Sequence, residues 1–152
     1  GQRSEWNAGG ELDWWLLQHA PHAGLQRLAR DLNRLYCATP ALHELDFEAG
    51  GFAWSDCHDA DQSVLSYLRY ARDGACILVA LNFTPVPRQG YRLGVPRAGG
   101  YREVFNSDST LYGGSDLGNG GSVQARAEAH LGFPATLELT LPPLAAVILA
   151  PA

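Results

Sequence analysis

The hydrophobic period of this chain changes once, at Gly50-Gly51, and that change limits the fold more than any single motif. Before it, Leu25, Leu28, Leu32, Leu35 and Tyr36 recur at helical spacing, with Arg27, Arg30, Asp31 and Arg34 on the opposite face. Pro21-His22 interrupts the run, so the helix is expected from Gly24. Thr39-Pro40 ends it, and Thr39 is a candidate cap for a short second helix through Leu45. After the glycines the period is two. Phe52 and Trp54 alternate with smaller residues, and strands are expected over Val64–Tyr70 and Ile77–Phe83, joined by a hairpin at Asp73-Gly74. The run Ala75–Phe83 is almost wholly apolar, which predicts a central strand buried on both faces, with Cys76 inside it. Further strands are expected at Tyr91–Val95, Tyr101–Phe105, Leu137–Leu141 and Ala145–Leu149. The fold class is therefore mainly β: a helical piece over residues 1–45, then an antiparallel sandwich or barrel over 46–152.

Composition narrows the function. With 18% charged residues and 46% hydrophobic ones, the chain has material for a core and is not a disordered polyelectrolyte. A net charge of −5 argues against nucleic acid or an anionic membrane as partner. No apolar run reaches the ~18 residues of a membrane-spanning helix. The three cysteines form no Cys-x-x-Cys pair, which suits reduced thiols in a cytoplasmic setting. There is no Met, so the chain is expected to be cut from a longer protein.

Most familiar chemistries lack their residues. His19 and His22 are three apart, and Asp56, Cys57, His58, Asp59 and Asp61 crowd one loop, but neither has zinc or EF-hand spacing. A solvated turn is the better reading of that loop, and no metal is expected. Gly113-Gly114 and Gly118-Asn119-Gly120-Gly121 are glycine-rich, but every one of the eleven basic residues is Arg, so a Walker loop has no Lys. No helix follows as a dinucleotide fingerprint requires, and no cofactor is expected. No serine sits in a Gly-x-Ser-x-Gly elbow. The remaining signal is aromatic. Trp6, Trp14, Trp15 and Trp54 could stack on sugar rings, with Glu5, Glu11 and Asp13 the nearby acids. From residue type alone, packing outweighs ligand contact for tryptophan, for Trp54 especially.

An ordered set of strings adds to this. Glu5-Trp6-Asn7, Leu12-Asp13-Trp14 and Leu16-Leu17 resemble the segment after the eighth barrel strand of glycogen branching enzymes, in the α-amylase superfamily. Asp31-Leu32-Asn33-Arg34-Leu35-Tyr36 is similar to their last barrel helix. Gly51-Phe52-Ala53-Trp54, Asn82-Phe83-Thr84-Pro85-Val86, Asn106-Ser107-Asp108, Tyr112-Gly113-Gly114-Ser115 and Leu139-Thr140-Leu141-Pro142-Pro143-Leu144 resemble their C-terminal β-domain.

The resemblance implies a C-terminal sandwich of the α-amylase type, preceded by the last loop and helix of a truncated (β/α)8 barrel. It implies a parent enzyme that transfers α-1,4-glucan chains to make α-1,6 branches, through a pair of carboxylates of the retaining kind. Those carboxylates would lie upstream, so no catalytic residue is assigned here and the chain alone is expected to be inactive. The expected partners are α-glucan (glycogen, maltooligosaccharides) and the missing barrel, with self-association where the barrel is absent. Candidate glucan contacts are Trp6 first and Trp54 second, with Glu5, Trp14 and Trp15 beside them. The rival readings are the C-terminal domain of another α-amylase-type hydrolase or transferase, or a non-catalytic carbohydrate-binding sandwich.

Overall fold

The computed structural model describes residues 9–152. A 3-10 turn, Trp14–Gln18, leads into helix α1, Ala20–Ala38. Eight strands follow: β1 Phe52–Asp56, β2 Val64–Tyr70, β3 Cys76–Asn82, β4 Arg88–Val95, β5 Gly99–Asn106, β6 Ser122–Ala125, β7 Ala135–Leu141 and β8 Ala145–Pro151. All pairings are antiparallel. Six strands form one sheet in the order β1-β2-β3-β8-β5-β6, and β4 and β7 form a second, two-stranded layer. The chain beyond β6 joins the layers on one side, where Arg126 and Thr136 exchange backbone hydrogen bonds at 2.9 and 3.0 Å.

The apolar run in β3 explains the architecture. Because side chains alternate across a strand, Leu78 and Ala80 face the space between the two sheets, while Ile77 and Val79 face the other way. Both sets are buried. The inner core joins Leu68, Leu78, Leu93, Leu137, Leu139, Val147 and Leu149. The outer cluster joins Ile77, Val79, Phe105 and Ile148 to Leu28, Leu35 and Ala41 from the helical segment. Full burial of an Ile, Val or Phe side chain contributes about 1.5–3 kcal/mol, so the second face cannot be left to water. The helix covers it. The Asp73-Gly74 hairpin also forms as expected, with Asp73 Oδ1 accepting from the Ala75 N–H at 2.8 Å.

Four expectations need correction. Helix α1 starts at Ala20 and runs through Pro21 and Gly24. Pro21 lies in the first turn, where its missing N–H has no intrahelical partner to lose. Thr39 makes no side-chain cap; only a 3-10 turn, Pro40–Leu42, follows. Strand β6 was not expected, because Ser122-Val123-Gln124-Ala125 buries only Ala125 and owes its conformation to pairing with β5. Cys76 is half-buried, since it opens β3 at the sheet's end.

Candidate functional site

The glycine-rich loop after β5 is where the helix meets the sandwich. Asp108 organises it: Oδ1 accepts from Ser115 N–H at 3.1 Å, and Oδ2 accepts from the Ser115 hydroxyl at 2.6 Å and Leu117 N–H at 3.1 Å. Asn106 Oδ1 accepts from Asp108 N–H, and its Nδ2 donates to Leu117 O at 2.8 Å. Gly113 takes φ +94° to turn the chain. The loop thereby presents Tyr112 and Leu111 to α1. Arg27 Nη1 donates to Leu111 O at 2.7 Å, and Tyr112 Oη donates to Asp31 Oδ2 at 3.4 Å. The Tyr112 ring stacks on Phe105, centroids 5.7 Å apart. Gly24 is buried against the Tyr112 backbone, leaving no room for a Cβ. The hydrogen bond from Arg30 holds the Asp31 carboxyl below its ordinary value, with help from Tyr112 and Arg34.

This clamp divides the leucine stripe. Leu28 and Leu35 pack on the sheet, while Leu25, Leu32 and Tyr36 stay exposed. Trp14 and Trp15, 62% and 58% exposed, precede them on the 3-10 turn, and Trp15 meets His19 edge-on at 5.9 Å. Asp13 precedes the turn without a side-chain cap hydrogen bond. Glu5 and Trp6 lie outside the described residues.

Trp54 belongs to a different surface. On β1, Ala53 and Ser55 face the inner core, so Phe52 and Trp54 share the outer face. Tyr67 of β2 pairs directly with Trp54. The three rings form one cluster: Phe52–Trp54 edge-on at 4.9 Å, Phe52–Tyr67 stacked at 5.4 Å and Trp54–Tyr67 edge-on at 6.2 Å. Trp54 is 50% exposed, which corrects the expectation of a core role. The reason is position: β1 is an edge strand, beyond the cover that α1 gives β3 and β8. Burial pushes the Tyr67 phenol up, against the pull of nearby Arg69. Residue-level reading did not pick out Phe52 and Tyr67, although the i, i+2 spacing of Phe52 and Trp54 could have flagged a shared face. No ring contact joins this cluster to Trp14 or Trp15 among the described residues.

The other sequence candidates shape loops. Asp56 Oδ1 accepts from His58 N–H at 2.9 Å. Asp59 accepts from the Gln62 backbone and side chain and, at 2.7 Å, from Tyr91 Oη. Buried Asn82 ties the β3–β4 turn together, donating to Val86 O and Pro142 O and accepting from Thr84. Asn119 joins its loop to β7 by donating to Thr140 O and accepting from Thr140 N–H.

Comparison with known proteins agrees with this architecture. Residues 54–152 match the family model described as alpha amylase, C-terminal all-beta domain. The chain is 58% identical over 149 residues to a 1,4-alpha-glucan branching enzyme GlgB of Nitrosomonas europaea, covering 98% of this chain and 20% of that protein. It is 58% identical over 152 residues to the GlgB of Thiobacillus denitrificans, covering 99% and 20%. With the GlgB of Dechloromonas aromatica it shares 56% over 149 residues, covering 98% and 24%. The chain thus spans about a fifth to a quarter of the curated relatives it matches. An antiparallel two-layer core with one helix clamped to its outer face, joined to these matches, makes the chain a member of the alpha-amylase C-terminal all-beta domain family, in the form found in 1,4-alpha-glucan branching enzymes.

Proposed function

We propose that this chain braces the catalytic barrel of a cytoplasmic glycogen branching enzyme and holds α-glucan on the Phe52–Trp54–Tyr67 surface. The carrying observation is that aromatic cluster: three rings in mutual contact, with a half-exposed indole, on edge strand β1 and its neighbour β2. Indole faces stack on the apolar faces of sugar rings, and neighbouring rings hold the indole in one orientation before ligand arrives. The exposed Leu25, Leu32 and Tyr36 edge, with Trp14 and Trp15 before it, supports the bracing role. In the full protein this edge docks on the barrel. In the chain alone it drives self-association. Glu5, Trp6, Trp14 and Trp15 form the rival contact set, which this reading sets aside in favour of the cluster.

Branch formation by the parent would proceed through a glycosyl-enzyme resolved by a sugar 6-hydroxyl rather than water. The carboxylates for that step belong to the barrel, and this chain alone catalyses neither transfer nor hydrolysis. No helix among the described residues is long and apolar enough to cross a membrane. The test is titration of the chain with maltoheptaose. Trp54→Ala should weaken binding about tenfold, or ~1.4 kcal/mol, with the fold intact. Unchanged affinity in a folded Trp54→Ala variant would remove this surface, and branching activity in the wild-type chain would overturn the division of labour.

A further inference from the structure

A cavity of about 320 Å³ lies between the end of α1 and the sheet edge formed by the β2–β3 turn and the start of β5. Its floor is apolar, with Leu35, Ala41, Ile77 and Val104, and Cys76 lines it. Arg97 and Arg102 stand on its wall. The arginines of this chain make the cavity unusual. Eight of the ten described ones form a hydrogen bond or an ion pair with a carboxylate or a backbone oxygen of the chain: Arg27, Arg30, Arg34, Arg69, Arg72, Arg88, Arg92 and Arg126. The two whose guanidinium groups have no such partner among the described residues are Arg97 and Arg102, and both line this one cavity. The acidic residue on the wall, Asp73, is engaged with the Ala75 N–H of the hairpin. Arg97 is close enough to the Cys76 thiol for its charge to oppose the rise that burial causes.

We propose that this cavity is a binding site for a small phosphate monoester with a compact apolar body. Two guanidinium groups match a dianion and can each present two parallel N–H donors to its oxygens. The apolar floor accepts the body, while the guanidinium groups, both exposed, stand at the rim where the phosphate meets them. The site is separate from the aromatic surface and does not depend on its role.

Cys76 supplies the readout, because a ligand on this floor shields the thiol. Phenyl phosphate serves as the probe, and phenol as its neutral counterpart. At ten times its dissociation constant, phenyl phosphate should slow Cys76 alkylation about tenfold, while exposed Cys37 reacts as before. Amide shifts should follow at Ile77 and Val104. Both effects should vanish in Arg97→Gln/Arg102→Gln, whose exposed substitutions leave the melting temperature in place. Equal protection by phenol, protection retained in the double variant, or no protection at any concentration would each overturn the proposal.

Discussion

Gly24 of α1 packs against the carbonyl of Tyr112, eighty-eight positions later, so closely that no side chain fits between them. The contact joins two strings that look unrelated in sequence, the helix start and Tyr112-Gly113-Gly114-Ser115. Gly24→Ala gains about 1 kcal/mol of helix propensity. It must also push backbone from backbone, which costs about 1–3 kcal/mol in well-packed sites. A net loss in denaturant midpoint is expected, with faster hydrogen exchange confined to α1. Exchange that speeds equally in β3 would mean that the helix and sandwich open together.

The Asp31 carboxyl tests the same clamp through pH. Its folded pKa is depressed, chiefly by the Arg30 hydrogen bond, so its contribution is present above the ordinary carboxylate value of 3.8. That contribution is lost as pH falls through the folded value. Arg30→Gln should raise the Asp31 pKa in a carbon-detected titration, and Tyr112→Phe should raise it less. No movement in either variant would remove the Arg30–Asp31–Tyr112 network from the account.

Leucines should divide by face, although they share one residue type. Leu68 is fully buried between the sheets, and Leu68→Ala should cost about 2–5 kcal/mol. Leu32 lies on the exposed edge, and Leu32→Ala should change stability by less than about 0.5 kcal/mol. Leu25→Glu/Leu32→Glu should reduce concentration-dependent association in sedimentation velocity. Association unchanged by the double substitution would place the sticky surface elsewhere.

Alkaline pH should loosen the sandwich. Burial raises the Tyr101 phenol from 10 to about 12, and Tyr91 is raised by burial and by its hydrogen bond to Asp59. Raised folded values mean that this stability is complete below pH 10 and is lost as pH climbs through 12. Tyrosinate absorbance should therefore develop in two stages, the later one coinciding with unfolding. Tyr91→Phe should soften the second stage.

Much of the fold was readable because burial on two faces leaves an unambiguous trace. The run through Ile77, Leu78, Val79 and Ala80 could only be a central strand, and it is. The helix was legible from its leucines, but its first turn was not, because Pro21 and Gly24 are weak helix formers whose fitness here depends on the helix end and on Tyr112. Strand β6 was invisible for the same kind of reason: its partner β5, not its own residues, makes it a strand. The aromatic surface was half legible. Trp54 stood out by type, but its exposure depends on β1 being an edge strand, which composition does not announce.

The proposed function stands or falls with glucan being held by the Phe52–Trp54–Tyr67 cluster and not by the N-terminal tryptophans. Chemical-shift mapping of maltoheptaose binding, read at the four indole N–H signals, tests it most directly. The Trp54 indole should move with saturation, together with side-chain signals of Phe52 and Tyr67, while Trp14 and Trp15 stay in place. Movement at Trp14, Trp15 or Trp6 with a still Trp54 would contradict it.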